Sequence, residues 1–518
     1  MINKSKTTQS ALMIIIFSLG SKFLGFLREI LIASKFGSGI ETDTFFIAVS
    51  ATTLIGSFIL SSISTTFIPV ISEVEAIEGK KGKIKHTNNM LNVTGILSLV
   101  LVLIAFIGTP LIVKILASGF KGEQFYLAVK LTRIGLPIIL ISTLIGVLKG
   151  FLESEQRFFA TAITGLPFNL IYIFYLIFMS SIFGIKGLMV AAVIAVFSQL
   201  LIQMPELRKS GFKYKLVFDL KNKYIKRVLY LSLPVIIGSA IYDLNVIVDK
   251  TLASHLVSGS ISALNYANKL NGLILGVFIS AITTVIFPLL AREFSNNNLS
   301  GVKSIMAYGV NLILIITIPA TVGLVILATP IVQVAFERGA FTPDDTIMTS
   351  SALVFYSLGL VASSLRLLIT RVYYSLQDTK TPMINGAISL GLNLIFNLIF
   401  IQFMAHAGLA FATSIANTVA TLLLYYELKK KIGSLGTKGY ISNFIKAGIA
   451  SAIMGVIVYI VYDGLFGLFG VSKMANLLSL LSAVGIGILV YGVLCYVFGI
   501  KEVKDLIKRS KNRVRFPH

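Results

Sequence analysis

Long apolar runs recur along the whole chain and constrain its fold more than any other feature. Each run holds about 20 residues, the length that an α-helix needs to cross the hydrocarbon core of a bilayer. The stretch 475–499, for example, contains no Asp, Glu, Lys or Arg. Only 13% of the 518 residues are charged, compared with about 25% in soluble domains. The sequence therefore predicts an all-α polytopic membrane protein, not a β-barrel, whose strands are ~10-residue alternating segments.

The apolar pattern predicts fourteen membrane-spanning helices, which places both termini on one side of the membrane. The expected spans are 10–34, 43–71, 88–117, 124–149, 158–183, 186–205, 226–254, 261–290, 303–335, 346–375, 382–404, 408–428, 441–463 and 475–499. Basic segments at 79–86, 208–227, 427–440 and 501–515 all fall on the same face of this arrangement. Because cytoplasmic loops are rich in Lys and Arg, both termini are expected to be cytoplasmic. This distribution also accounts for the net charge of +23 without nucleic acid.

The chain also repeats itself, at an offset near 220 residues. "FGSGIETDTFF" (36–46) aligns with "LVSGSISALNY" (256–266), Pro69 aligns with Pro288, and Gly187 aligns with Gly408. Six helices per copy give both copies the same orientation, so the prediction is two parallel six-helix lobes around a central cavity, followed by two extra helices. The expected parts are an N-terminal lobe (1–205), a basic cytoplasmic linker (206–225), a C-terminal lobe (226–430), helices 13 and 14 (431–500) and a basic cytoplasmic tail (501–518).

Ionisable residues lie inside the expected spans, where each costs roughly 2.5–3.5 kcal/mol if it faces lipid. Lys22, Arg28 and Glu29 lie in helix 1, Asp43 opens helix 2, and Lys269 lies in helix 8. We expect these groups to face the bundle interior. Ion pairs between packed helices are one explanation for any single residue. Several cations in one cavity instead favour an anionic ligand, and an arginine can grip a phosphate with two parallel hydrogen bonds.

A second set of polar residues suggests a cation site. Asn393 and Asn397 are spaced i and i+4 on one helical face, Thr413 lies in the following helix, and Asp249 lies in helix 7. Carboxylate, amide and hydroxyl oxygens suit a small hard cation such as Na⁺. The alternative is hydrogen bonding between helices, which is common in membrane bundles. No cofactor and no catalytic constellation are predicted, so the energy source is expected to be an Na⁺ or H⁺ gradient, the membrane potential or the ligand gradient.

Four segments resemble the MurJ/MviN family of lipid II flippases, within the multidrug/oligosaccharidyl-lipid/polysaccharide exporter superfamily. They are "SKFLGFLREILIASKFGSGIETDTFFIA" (21–48), "TTFIPVISE" (65–73), "GSISALNYANKL" (259–270) and "YYSLQDTKTP" (373–382). The resemblance implies an alternating-access flippase, not an enzyme. It would move the undecaprenyl-diphosphate-linked disaccharide-pentapeptide from the inner to the outer leaflet of the bacterial cytoplasmic membrane for peptidoglycan synthesis. Cell-wall synthesis proteins are candidate partners beside membrane lipids, and a monomer is expected.

The resemblance also assigns roles to residues. Lys22, Arg28 and Lys269 match the family's cavity cations, and Glu29 and Asp43 match its acidic positions. Helices 13 and 14 match the groove proposed to hold the lipid tail. The set of Asp249, Asn393, Asn397 and Thr413 resembles a cation site described within the family, with Asn397 in place of a carboxylate.

Two departures from the family pattern keep other functions open. Helix 2 reads "ATTLIGSFIL" (51–60), where many members carry an Arg pair, and Lys22 and Lys269 stand where Arg is usual. Lysine keeps the charge but lacks the forked donor geometry of arginine. The alternatives are a flippase for another undecaprenyl-linked glycan, a multidrug–cation antiporter of the same superfamily, and a membrane scaffold that transports nothing.

Overall fold

All regular secondary structure is helical in the part of the chain that the computed structural model describes, residues 4–470 and 472–505. Side chains are described outside 4–15, 57–65 and 233–243, and most of the predicted basic tail (506–518) lies outside the described residues. The helices are α1 (Lys4–Phe36), α2 (Ile40–Leu116), α3 (Gly122–Gly135), α4 (Pro137–Ser154), α5 (Phe158–Ala162), α6 (Gly165–Phe178), α7 (Ser180–Leu201), α8 (Met204–Lys209), α9 (Lys223–Ala253), α10 (Ser260–Ile274), α11 (Ser280–Ser295), α12 (Leu299–Ile326), α13 (Ala328–Phe336), α14 (Pro343–Leu358), α15 (Leu360–Ser375), α16 (Lys380–Ile432), α17 (Thr437–Phe469) and α18 (Lys473–Val497). A π-helical turn, Leu275–Ile279, joins α10 to α11.

Many of these helices are long and apolar enough to cross a membrane. Within the described residues nine segments meet that requirement, or ten if α14 and α15, which meet at a bend of 46°, are counted as one span. The prediction of an all-α polytopic membrane protein is therefore confirmed.

Three helices run through positions where the sequence predicts loops, and the shortest of them, α7, does so at Gly184, with φ 55° and ψ −153°. α2 has 77 residues, which corresponds to about 115 Å at 1.5 Å per residue, several times the thickness of a bilayer core. It is interrupted only at Gly79, whose φ of 68° and ψ of −172° lie outside the helical region. α16 is interrupted in the same way at Ala405, with φ 48° and ψ −130°. The connector around Gly79 is rich in Glu, Lys and Ala, which favour helix, so the helix continues up to a residue that tolerates positive φ.

The helices divide into two compact units. The first comprises Met1–Ser262 and Arg338–Phe341. Its largest described apolar cluster joins α2, α4 and α9 through side chains such as Phe67, Phe151 and Val228. Hydrogen bonds also tie α9 to α2, because the Thr251 hydroxyl donates to the Ile115 carbonyl over 2.8 Å. In this structure the helix expected to begin the second lobe is thus part of the first unit.

The second unit comprises Ala263–Glu337 and Thr342–His518. Its apolar cluster runs from α11 and α12 to the two C-terminal helices. At Gly455 the backbone of α17 packs so closely that a Cβ atom would come within 2.5 Å of the Ile326 side chain. The Tyr491 hydroxyl of α18 donates to the Ile315 carbonyl of α12 over 2.9 Å. Small residues at such crossings let the backbones of two helices approach closely. The lobe boundaries given above stay a prediction.

Candidate functional site

An arginine and a glutamate in α1 form a buried ion pair against α6. The Arg28 guanidinium donates from Nη2 to Glu29 Oε1 over 2.7 Å and from Nη1 to Asn169 Oδ1 over 3.2 Å. The side chains are 15% and 5% exposed, respectively. Gly25, one turn earlier in α1, leaves room for this approach, since even a Cβ atom there would lie 3.7 Å from the Asn169 amide. The positive charge of Arg28 is therefore largely neutralised by the negative charge of Glu29.

The residues of α6 hold the guanidinium in one orientation. Its carbon lies 5.3 Å from the centre of the Phe168 ring and 5.0 Å from that of Tyr172, within the range of cation–π attraction. The Asn169 amide nitrogen donates to the carbonyls of Ser21 and Gly165, over 3.1 Å and 2.8 Å, which turns the amide oxygen toward Arg28.

Arg28 keeps donor capacity in this arrangement. A guanidinium has five N–H donors; Glu29 and Asn169 accept from one N–H each of Nη2 and Nη1, and 15% of the Arg28 side chain is exposed. We name Arg28, Glu29, Phe168, Asn169 and Tyr172 the arginine cluster. The cluster orients the Arg28 guanidinium in an apolar setting, and the guanidinium can still donate a hydrogen bond to an anionic ligand.

The other predicted ligand-binding residues occupy different surroundings. Lys22 lies in α1 and Lys269 lies in α10 of the second unit, and both are exposed. Asp43 is buried at the start of α2. Its carboxylate accepts hydrogen bonds from the backbone N–H groups of Gly259 and Ser262, each 2.7 Å long, and from the Ser262 hydroxyl over 2.6 Å. These bonds fix the turn before α10, and a contact of Asp43 with substrate stays a prediction.

Three of the four predicted cation-site residues meet in the second unit. The Asn397 amide donates to Asn393 Oδ1 over 2.9 Å, and the Asn393 amide donates to Thr413 Oγ1 over 3.1 Å. Both asparagines are fully buried. Asp249 lies on α9 in the first unit. We name Asn393, Asn397 and Thr413 the amide chain. Its oxygens match the preference of a small hard cation, and the described residues contain no group of three His, Cys, Asp or Glu suited to a metal ion.

The structure also shows polar side chains in buried contacts that the sequence analysis did not identify. Asn169 and Tyr172 lie in an apolar span in which nothing marks them as partners of a charge in α1. Arg366, in α15, donates to Ser389 Oγ over 3.1 Å and to Asn417 Oδ1 over 2.9 Å. It lies within the predicted span 346–375, so the rule that intramembrane charges are functional candidates would have identified it.

Comparison with known proteins gives one family. Over residues 32–480 the chain matches the family described as "MurJ: Lipid II flippase MurJ". A relative from Buchnera aphidicola subsp. Acyrthosiphon pisum, named "Probable lipid II flippase MurJ", is 33% identical over 454 residues, which is 86% of this chain and 88% of the relative.

Solved structures agree with that match. The chain is similar to "Lipid II flippase MurJ, inward closed conformation", with a TM-score of 0.80 and 28% identity over 96% of this chain and all of that one. A "multidrug resistance MATE family transporter of the MOP superfamily" gives a TM-score of 0.68 at 18% identity and covers 82% of this chain and 99% of that one. At that identity the second likeness concerns the fold alone.

Proposed function

Because this chain belongs to the MurJ family of lipid II flippases, which are transporters and not enzymes, we propose that it moves lipid II from the inner to the outer leaflet of the bacterial cytoplasmic membrane. The observation that carries this proposal is the family match over residues 32–480. The arginine cluster supports it, since a diphosphate is the kind of anion that an oriented guanidinium binds.

The proposed architecture is fourteen crossings in two parallel six-helix lobes with two added helices. The breaks at Gly79 and Ala405 divide α2 and α16 into two crossings each. α3 with α4, α5 with α6, α10 with α11, α12 with α13, and α14 with α15 then supply one crossing per pair. α1, α7, α9, α17 and α18 supply the remaining five. The basic linker (206–225) and both termini are proposed to be cytoplasmic.

In the proposed mechanism the cavity binds the headgroup from the cytoplasmic side, and rocking of the lobes then exposes it outside. Arg28 would bind the diphosphate in the orientation that Glu29 and Asn169 impose, while Lys22 and Lys269 add positive charge. The isoprenoid tail would lie along α17 and α18, whose outer faces are apolar. An inside-negative potential favours outward movement of negative charge by roughly 2.3 kcal/mol per charge per 100 mV.

Energy coupling is proposed to use the membrane potential or a cation at the amide chain. A cation there would replace the hydrogen bond between Asn397 and Asn393 with ligation by the Asn393 oxygen. The amide chain would supply neutral amide and hydroxyl oxygens, which suit a small hard cation such as Na⁺.

The direct test measures flipping of fluorescent lipid II in proteoliposomes. Arg28→Ala and Lys269→Ala are each expected to lower the flipping rate about tenfold or more, because a hydrogen bond to a charged group contributes about 1.5–3 kcal/mol. Lys149→Ala is the matched control, since Lys149 is an exposed partner of Glu153.

Undiminished flipping in both cavity variants would refute the assignment of these residues. Transport of a different undecaprenyl-linked glycan in preference to lipid II would replace the proposed substrate. Drug export in a resistance assay would favour an antiporter, and the absence of any transport would favour a scaffold.

A further inference from the structure

The first unit contains an apolar cavity that the proposed transport cycle does not use. Its volume is about 660 Å³, within the range of about 300–1,000 Å³ that small-molecule pockets occupy. Its walls are helices α2, α4, α7 and α8, together with the irregular segment 212–218 of the linker. The lining residues are Leu91, Asn92, Gly95, Ile96, Leu99, Leu140, Leu144, Leu148, Leu200, Met204, Leu207, Arg208, Phe212, Tyr214, Leu216 and Phe218.

Three asparagines of α2 hold the linker in place as one wall of this cavity. The Asn88 amide exchanges hydrogen bonds with the Lys213 carbonyl (2.9 Å) and the Lys215 N–H (3.1 Å). Asn89 does the same with both backbone groups of Asp219, over 2.9 Å and 2.7 Å. Asn92 donates to the carbonyl of Val217 over 2.9 Å. Because the backbone is satisfied in this way, the linker can present apolar side chains to the cavity without burying unpaired polar groups.

Those linker side chains remain largely exposed in the folded chain. Leu216 is 84% exposed and Phe218 is 50% exposed. Exposed apolar side chains at a cavity mouth mark a place where an apolar ligand or lipid adds contact area.

The rim of the cavity is positively charged. Arg208 lines the cavity and is exposed, and its guanidinium pairs with no described residue. The surrounding segment 208–227 holds eight Lys or Arg and one Asp. Such a segment beside a membrane span attracts the anionic lipids of the cytoplasmic leaflet. An apolar cavity with a cationic rim favours an anionic lipid over a zwitterionic or neutral one, because only the anionic lipid carries a net negative charge.

We propose that this cavity binds an anionic phospholipid, with an acyl chain between α2 and α4 and the phosphate at Arg208. The assignment rests on the cavity, the asparagine-held linker and the charge of its rim, and it is independent of which lipid the protein transports.

The test uses phosphatidylglycerol and phosphatidylcholine that carry the same photoactivatable acyl chain, bound to the full-length protein. Cross-linked residues are mapped by mass spectrometry. Phosphatidylglycerol is expected to label 91–99 and 140–148 about fivefold more than phosphatidylcholine, the ratio that one interfacial arginine supplies. Arg208→Gln is expected to abolish this preference.

A second variant fills the cavity. Gly95 faces Leu144, and a Cβ atom there would lie 3.6 Å from the Leu144 side chain, so Gly95→Leu is expected to reduce labelling by both lipids. Matched controls are Gly108→Leu, at an open position of the same helix, and Arg292→Gln, at an exposed arginine at the end of α11. Neither control is expected to change the labelling.

Two results would overturn the proposal. Equal labelling by the two lipids in the unaltered protein would show only bulk lipid at the surface. Displacement of the label by an undecaprenyl-diphosphate lipid, but not by unlabelled phosphatidylglycerol, would assign the cavity to the tail of the transported substrate.

Discussion

The arginine cluster of the first unit and the amide chain of the second unit bury polar groups in opposite ways. The arginine cluster contains a full positive and a full negative charge 2.7 Å apart, with aromatic rings beside the guanidinium. The amide chain contains only neutral groups that donate and accept in sequence. A buried charge needs its partner far more than a buried amide does, because desolvation of an ion costs several kcal/mol and desolvation of an amide costs less.

This difference suggests different roles in transport. An anion that reaches Arg28 would accept from the N–H donors that Glu29 and Asn169 do not use, so its binding would depend on charge. A cation that reaches the amide chain only exchanges one neutral hydrogen bond for ligation. We therefore propose that the arginine cluster selects a charged ligand, whereas the amide chain binds and releases its ligand at small cost.

The largest expected effect comes from breaking the ion pair on one side. Glu29→Gln keeps the shape of the side chain but leaves the Arg28 charge without its carboxylate. We expect the free energy of unfolding to fall by about 3–5 kcal/mol. The measurement is an unfolding titration with SDS in mixed micelles.

The double variant Arg28→Met with Glu29→Leu serves as the control for that prediction. It removes both charges, and replacing a whole buried pair by apolar groups is often neutral for stability. The double variant should therefore be more stable than Glu29→Gln and should not flip lipid II. Equal destabilisation in the single and double variants would mean that packing, and not charge, accounts for the loss.

A smaller effect is expected in the amide chain. Asn393→Ala removes hydrogen bonds to Asn397 and Thr413 but leaves no charge unpaired. Hydrogen bonds between membrane helices contribute about 0.6 kcal/mol on average and about 1.7 kcal/mol at most, so the same titration should show a loss in that range. Gln402→Ala is the control, because Gln402 is exposed on the same helix and, among the described residues, its side chain bonds only to the Leu398 carbonyl. If Asn393→Ala lowered the free energy of unfolding as much as Glu29→Gln does, the cost of losing a partner would not differ between the arginine cluster and the amide chain.

The smallest effect is expected at an ion pair outside the spans. Partial burial raises the pKa of Asp378, but hydrogen bonds from Lys431 and Thr381 outweigh it and hold the pKa at about 2. An unfolded aspartate has a pKa of about 3.9. The pair therefore contributes stability above about pH 4 that is lost as the pH falls through about 2.

Because Lys431 is 45% exposed, this contribution should stay below about 1 kcal/mol. Asp378→Asn is expected to lower the unfolding free energy near about pH 6 and to have almost no effect near about pH 2. An equal loss at both pH values would show that the hydrogen bonds to Thr381, and not the charge, provide the stability. The ion pair of Asp378 and Lys431 would then give no measure of the energetic contribution of charge.

Much of the fold follows from the sequence for simple physical reasons. Runs of about 20 apolar residues require helices in a membrane, and the structure has them. The sequence predicted a connection at each of the breaks in α2 and α16, 72–87 and 405–407. It did not predict that helix continues on both sides up to a single non-helical residue, Gly79 or Ala405. The contacts of α9 within the first unit are a separate matter, because an internal repeat aligns sequences and does not report which helices touch.

The candidate sites were predictable to the extent that their residues are chemically unusual in a membrane. Arg28 with Glu29, and Asn393 with Asn397, stand out because charged and amide groups are expensive there. Asn169 and Tyr172 do not stand out, because their importance lies in the crossing of α6 with α1. Asp43 was correctly expected to lie at the start of α2, whereas its hydrogen bonds to Gly259 and Ser262 depend on tertiary contacts that no local pattern reports.

We propose that this chain flips lipid II and uses the charge of Arg28 to do so. The most direct test of this proposal expresses the chain in a bacterium whose own lipid II flippase is depleted and measures lipid II in each leaflet of the cytoplasmic membrane. The unaltered chain is predicted to return inner-leaflet lipid II to its normal level, and Arg28→Ala is predicted to leave it accumulated. Persistent accumulation with the unaltered, membrane-inserted chain, or full rescue by Arg28→Ala, would contradict the account.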